Sequence, residues 1–408
     1  MVNDFLEATE VPLLEAREPV PVPVPVPASL RLTKPGTPHA VDFGRNIHCV
    51  LGLTFDALSL DEAVAQVHHA AHTGTPCFVS TPNVNFLIAA QTDAPFRASV
   101  LHSDLSVADG MPIVWIARLL GVPIRERVAG ADLFDRLRVD ARKPLGVYFF
   151  GGPDGVAESA SRQLNVTPGG LRGVGGESPG AGTVTDLCKP ESLARINASG
   201  AQLLAVALGA KKGQAWIELN RASLSVPVIS HLGAVVNFVE GRLARAPVWA
   251  RRLGIEWCWR ILGERSLWRR YWNDGRSLAA LAFTRLVSTL WLMRVVMPLR
   301  RFGSPGDVSI SDAATHFKVT VKGAWRSDAA LPLRLALSRA ADSDKAVEVI
   351  FEPEASIDLG VVGLLLLLEE FCSQRAIQVT IVPGDTTMRR LFELCDLRSL
   401  AQPVLVAR

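Results

Sequence analysis

Residues 45–240 alternate short β-rich runs with helical stretches, and this rhythm constrains the fold more than any other feature of the chain. Candidate strands lie at 48–53, 77–80, 105–107, 145–150, 170–174, 202–208 and 226–230. Candidate helices follow near 60–73, 84–92, 111–120, 132–141, 154–164, 190–199 and 214–222. A βαβα order needs crossover connections, which produce a mostly parallel sheet with helices on both faces: an α/β, Rossmann-like architecture. Open sheets of this kind bind ligands beyond the carboxyl ends of their strands.

That rule draws attention to three polar islands in very apolar surroundings: Thr81-Pro82-Asn83, Ala108-Asp109-Gly110, and Arg127-Val128-Ala129-Gly130-Ala131-Asp132. The first two follow predicted strands, so Asn83 and Asp109 are expected to be neighbours. A carboxylate held beside Gly110 is placed to act chemically; equally, Asp109 suits the cap of the helix expected from Met111. Gly151-Gly152 forms a strand–glycine–helix turn whose backbone N–H groups can approach a phosphate. It matches neither GxGxxG nor GxxxxGK[ST]. The stretch 168–182 holds seven glycines in fifteen residues and reads either as a lid or as a disordered excursion. His68 and His72 have metal-ligand spacing, but no HExxH accompanies them, and a helix face is the better reading. No DxD-type motif lies in 45–240.

The flanks differ in character. Residues 1–44 carry an alternating Pro/Val run that favours extended polyproline II and reads as a disordered leader. Six scattered cysteines form no CxxC pair and suit a reducing compartment. Residues 242–302 hold thirteen arginines against three acids, with six of the nine tryptophans, in a chain of net charge +3. Arg and Trp at helical spacing beside the apolar stretch 278–299 describe a helix lying in a membrane interface. Arg285 and Arg294 interrupt the stretch, so no standard transmembrane helix is expected. A buried helical hairpin with solvated arginines is the plainer alternative, and nucleic-acid binding ranks below the membrane reading because 278–299 is too apolar for a groove-tracking surface. Residues 307–408 read as a further small α/β unit.

These residues carry a family resemblance. Residues 45–275 resemble the WecG/TagA/CpsF glycosyltransferases, through the three islands, Phe150-Gly151-Gly152, Arg245-Ala246-Pro247-Val248-Trp249, Gly254-Ile255-Glu256-Trp257 with Arg260, and Arg270-Tyr271. That family moves a sugar from a UDP-sugar onto a lipid-diphosphate-linked sugar at the cytoplasmic membrane face. The resemblance implies Asp109 as general base. Thr81, Asn83, Gly110, Asp132, Gly151, Gly152 and Gln214 would be substrate-binding residues, with Arg245, Arg260 and Arg270 stabilising the UDP leaving group. It implies no cofactor and no metal. The partners implied are a UDP-sugar, a lipid-diphosphate-linked acceptor and the inner membrane surface, with no nucleic acid. Localisation would be cytoplasmic and peripheral. The chain departs from the family where the usual Pro-Lys-Gln-Glu run reads Lys211-Lys212-Gly213-Gln214, so the family Gln falls on Gly213 unless Gln214 substitutes for it. A family Arg falls on Leu267, and a family Asp on Asn237. The alternative implied by these departures is a catalytically weakened scaffold of a polysaccharide-assembly complex. Residues 307–408 resemble a STAS domain through Ile357-Asp358-Leu359-Gly360 and the apolar run that follows, which suggests a docking site for a protein partner.

Overall fold

The structure, a computed structural model, describes residues 31–32, 41–140, 144–241, 246–247, 249–250, 254–263, 267–296 and 304–401. Most of the Pro/Val leader lies outside these residues. Arg31–Leu32 pairs antiparallel with Val41–Asp42.

The first long-range feature is a hairpin, β1 (Ile47–Val50) and β2 (Leu53–Asp56), where the sequence predicts one strand over 48–53. Leu51 (φ 50°) and Gly52 (φ 92°) both take left-handed backbone, which is what a two-residue hairpin turn requires. Every residue of both strands is buried, so no period-two alternation betrays the reversal.

Six parallel strands follow: β3 (Cys77–Ser80), β4 (Leu105–Ser106), β5 (Leu145–Gly151), β6 (Leu171–Glu177), β7 (Leu203–Ala207) and β8 (Val228–His231), in the order β4-β3-β8-β7-β5-β6. One face is covered by α1 (Leu60–Thr73), α5 (Gly130–Val139), α6 (Val156–Leu164) and α9 (Gly233–Glu240). The other carries α7 (Pro190–Ala198) and α8 (Ala210–Asn220), with Trp216 fully buried and stacked on Phe150 at 4.4 Å. This is the Rossmann-like α/β architecture that the alternation predicts. Local chemistry sets α1: the Ser59 hydroxyl accepts from Glu62 N, the Glu62 carboxylate accepts from Ser59 N at 2.7 Å, and Gly74 ends the helix at φ 71°.

Seven of the fifteen residues of the glycine-rich stretch form a strand, where the sequence reads a lid or a disordered excursion. β6 runs to Glu177 because its glycines allow close packing: a Cβ on Gly173 would sit 2.1 Å from Ser161 O, and one on Gly176 2.4 Å from Ala157 O. Helix α3 (Ala94–Leu101) went unpredicted, although Asp93 caps it, accepting from Phe96 N at 3.0 Å, and Pro95 stands in its first turn.

Beyond α9, α10 (Glu256–Gly263) leads to α11 (Trp268–Val296), 29 residues long. By length and composition α11 is apolar enough to cross a membrane, which the interrupting arginines had argued against. It nevertheless packs lengthwise on the protein. Leu281, Leu286, Leu292 and Met293 are buried, Arg285 pairs with Asp396 at 3.7 Å, and Arg294 donates to the carbonyls of Leu119 and Arg118. Its outer side exposes Phe283, Val287, Trp291 and Val295. Two π-helical turns, Ala282–Leu286 and Leu292–Val296, offset the drift that a four-residue repeat has in an α-helix and keep these side chains in line.

The C-terminal unit is a four-stranded mixed sheet, β9 (Asp307–Asp312), β10 (His316–Lys322), β11 (Ala346–Phe351) and β12 (Val379–Val382), in that order. Helices α12 (Leu331–Asp342), α13 (Leu359–Gln374) and α14 (Thr386–Leu394) accompany it. It shares one hydrophobic core with β1, β2 and the helices α2 (Val84–Thr92), α3 and α4 (Met111–Leu119). Helix α13 is apolar all round because both sides of it are covered. A Cβ on Gly363 would lie 3.3 Å from the backbone of His48 and Cys49. Two arginines stitch the join: Arg97 donates to Gly52 O and Asp396 O, and Arg334 to Phe43 O and Arg45 O.

Candidate active site

Because all six strands run parallel, the segments following them share one edge. There Asp109 N donates to Pro82 O at 3.0 Å, and Val128 N to Ala108 O at 2.9 Å, so the three polar islands are joined. A Cβ on Gly130 would meet Leu232 at 2.7 Å and the Thr81 hydroxyl at 3.2 Å, which holds α5 close to Thr81. Asn83 caps α2, its Oδ1 accepting from Asn85 N and Phe86 N. The N-cap position of α4 is Gly110 (φ 129°), one residue after Asp109. Asp109 is half-buried at the mouth of the edge.

Arg127, absent from the predicted site residues, is central to this end. It pairs with Asp132, and its Nη1 donates to Glu256 Oε2 at 2.9 Å. Burial works against its charge, but the Glu256 bond and the charges of Asp132 and Asp109 outweigh it and hold the guanidinium above its ordinary value. Glu256 opens α10, so this clasp draws the arginine-rich appendage onto the site. Beside it, a Cβ on Gly254 would meet Met111 at 2.6 Å. The predicted binding residue Asp132 is therefore engaged by Arg127.

Four strands along the edge from Asp109, the Gly151-Gly152 turn (φ 113° and 83°) lies against Ala207, with Gly152 N donating to Ala207 O at 2.9 Å. A cleft of about 180 Å³ opens there, lined by Gly152, Gly180, Gly182, Leu208 and Lys212 among others. It lies between the ends of β5 and β7, whose connections leave in opposite directions, the switch point where such sheets take ligands. Lys212 donates to Gly182 O at 2.7 Å and brings a cation to the cleft.

Gln214 does not line the cleft. It is fully buried, donating to Ser80 Oγ at 2.9 Å. One residue is about 100° around a helix, enough to turn the position from cleft to core. Gly213 instead faces His231, which ends β8 in the middle of the edge. Arg270 is exposed and reaches Asp274 at 3.8 Å; Asp274 accepts from Asn85 at 3.3 Å, tying α11 to α2. Arg245 and the side chain of Arg260 lie outside the described residues. His68 and His72 stack at 5.8 Å on α1, and among the described residues no group of three or more metal-ligating side chains gathers.

A parallel sheet whose carboxyl edge carries a half-buried aspartate, hydroxyl and amide side chains and, four strands away, a glycine-lined cleft with a lysine has its polar groups where α/β proteins bind ligands. The family model described as the glycosyl transferase WecG/TagA/CpsF family matches residues 48–290, and the chain belongs to that family. It is similar to an N-acetylglucosaminyldiphosphoundecaprenol N-acetyl-beta-D-mannosaminyltransferase of Bacillus spizizenii, 31% identical over 195 residues, spanning 47% of this chain and 74% of that protein.

Proposed function

We propose that this glycosyltransferase moves a sugar, with inversion, from a UDP-sugar to a lipid-diphosphate-linked sugar in envelope glycan synthesis. The observation that carries the reading is the convergence of Asp109, Thr81 and Asn83 at one end of a single sheet edge that has the Gly152–Lys212 cleft at its other end. The relative's name supports the acceptor class, a diphosphoundecaprenol-linked N-acetylglucosamine, and an N-acetylhexosaminyl group as the sugar transferred.

In this reading the Asp109 carboxylate takes the proton of an acceptor hydroxyl. That oxygen bonds to the anomeric carbon as the bond from this carbon to the UDP oxygen breaks, and UDP leaves with the electron pair. Positioned base catalysis contributes ~10²–10⁴-fold. Charge developing on UDP is met by Lys212 and by the appendage arginines Arg245, Arg260 and Arg270. With those cations and no DxD-type motif in 45–240, we read the reaction as metal-independent. Thr81, Asn83 and Gly110 orient the sugars.

The membrane side follows from exposed apolar surface. Trp115 and Leu119 are about half exposed on α4, which starts two residues after Asp109, and α11 adds its outer row. An acceptor with its prenyl chain in the bilayer reaches Asp109 across this face, which makes the protein peripheral on the inner leaflet. A screen of UDP-sugars against a synthetic prenyl-diphosphate N-acetylglucosamine tests the proposal. Transfer by wild type and a ~10²–10⁴-fold loss in Asp109→Asn are expected. Full activity in a folded Asp109→Asn protein would remove the base assignment.

A further inference from the structure

Between the two ends of the edge stands His231. It is level with Val206 of β7, and its neighbour Ser230 pairs with Val79 of β3. At roughly 4.8 Å per strand, the Asp109 loop lies ~10 Å to one side and the Gly152 turn ~10 Å to the other. A nucleotide sugar reaching from the cleft to Asp109 must pass the imidazole.

The ring is fitted there by missing side chains. A Cβ on Gly213 would lie 2.2 Å from its Cδ2, and one on Gly233 3.2 Å from its Nε2. Any larger residue at 213 would displace the ring. Position 213 is where the resemblance puts the family glutamine, so here a polar side chain from β8 fills space that a polar side chain from α8 would otherwise need. Although the residue is partly exposed, Nε2 is out of solvent and has no hydrogen-bond partner among the described residues. A buried nitrogen left unmet is costly, which sets this ring apart from an ordinary core histidine. Phe86 flanks the ring at 6.3 Å. Burial pushes the imidazole down to about 4, so at neutral pH it is uncharged, with one nitrogen donating and one accepting. That state suits a neutral hydroxyl or amide better than a diphosphate.

We infer that His231, whose ring fills the place beside Gly213, positions the donor by a hydrogen bond from its imidazole to a hydroxyl or N-acetyl group of the transferred sugar. The inference rests on the transferase reading above.

Calorimetric titration of the full chain with UDP and with UDP-N-acetylmannosamine tests it in wild type, His231→Ala and the double variant Gly213→Gln/His231→Ala, with Tm recorded for each. For His231→Ala, the Kd of the sugar nucleotide should rise at least tenfold while that of UDP stays within twofold. The double variant, with a glutamine in the vacated space, should recover to within threefold of wild type. If the sugar nucleotide binds His231→Ala within twofold of wild type, the ring merely fills space and the inference fails alone. Equal loss of UDP and UDP-sugar would overturn the sugar contact, because the ring would then serve the nucleotide. Wild type binding neither compound would overturn the transferase reading, and this inference with it.

Discussion

The Arg127–Glu256 clasp offers a direct measure of how firmly the appendage is held. Glu256→Gln removes the charge from a 2.9 Å bond between side chains only 12% and 14% exposed, so screening by solvent takes little from it. A hydrogen bond to a charged group contributes ~1.5–3 kcal/mol. The glutamate also sits in the first turn of α10, where its charge favours the helix by ~0.3–1 kcal/mol. Arg127 keeps Asp132, so it is not left as an unpaired buried charge. A loss of about 2 kcal/mol corresponds to a ~30-fold rise in the population with α10 undocked. Hydrogen exchange of the amides in 254–263 should quicken by about that factor, with β5 and β7 unchanged. Arg127→Met separates the two contributions, because it leaves the helix start intact and still breaks the clasp. Exchange in 254–263 within twofold of wild type in both variants would mean that the clasp does not hold the appendage.

Three further outcomes are expected. His102 bridges Glu218 at 2.9 Å and Glu370 of α13 at 2.8 Å; burial opposes its charge, but the two carboxylates raise it to about 9. Because the folded value is raised, this stabilisation is full below about 6.5 and is lost as pH rises through about 9, on the order of 3 kcal/mol in all; Tm should fall over that window, and less so in His102→Gln. Gly151→Ala places a Cβ 2.5 Å from Ala207 O at φ 113° and should lower stability in urea by ~1–3 kcal/mol, whereas Gly180→Ala, with nothing within 4 Å of its Cβ, should cost less. Replacing Phe283 and Trp291, 80% and 59% exposed, with serine should leave Tm within about 2 °C but reduce co-sedimentation with anionic vesicles severalfold; unchanged sedimentation would exclude this face as the membrane contact.

Much of the fold was legible because its signals are local. The Ser59–Glu62 box and Gly74 fix both ends of α1 where the sequence predicts them. The hairpin was hidden because burial on both faces removes alternation, and because a leucine holds one of its left-handed positions. Glycines in β6 imitate a loop, since a residue chosen for close packing and one chosen for a turn look alike in sequence. In the site, Asp109, Thr81 and Asn83 could be brought together from the carboxyl-end rule alone. Arg127 could not be assigned, since its partner lies 129 residues away. His231 was invisible for a different reason: its place is shaped by what Gly213 lacks.

The shared core also sets an order of events during synthesis. β1 and β2 are covered by α13, roughly 300 residues further along the chain. At ~5–20 residues per second, the side of these strands that meets α13 waits on the order of 15–60 s for that helix, although α2, α3 and α4 follow at once. Through that interval the nascent chain carries a hairpin with one apolar side bare, and its yield in a cell will depend on what shields that side until α13 emerges.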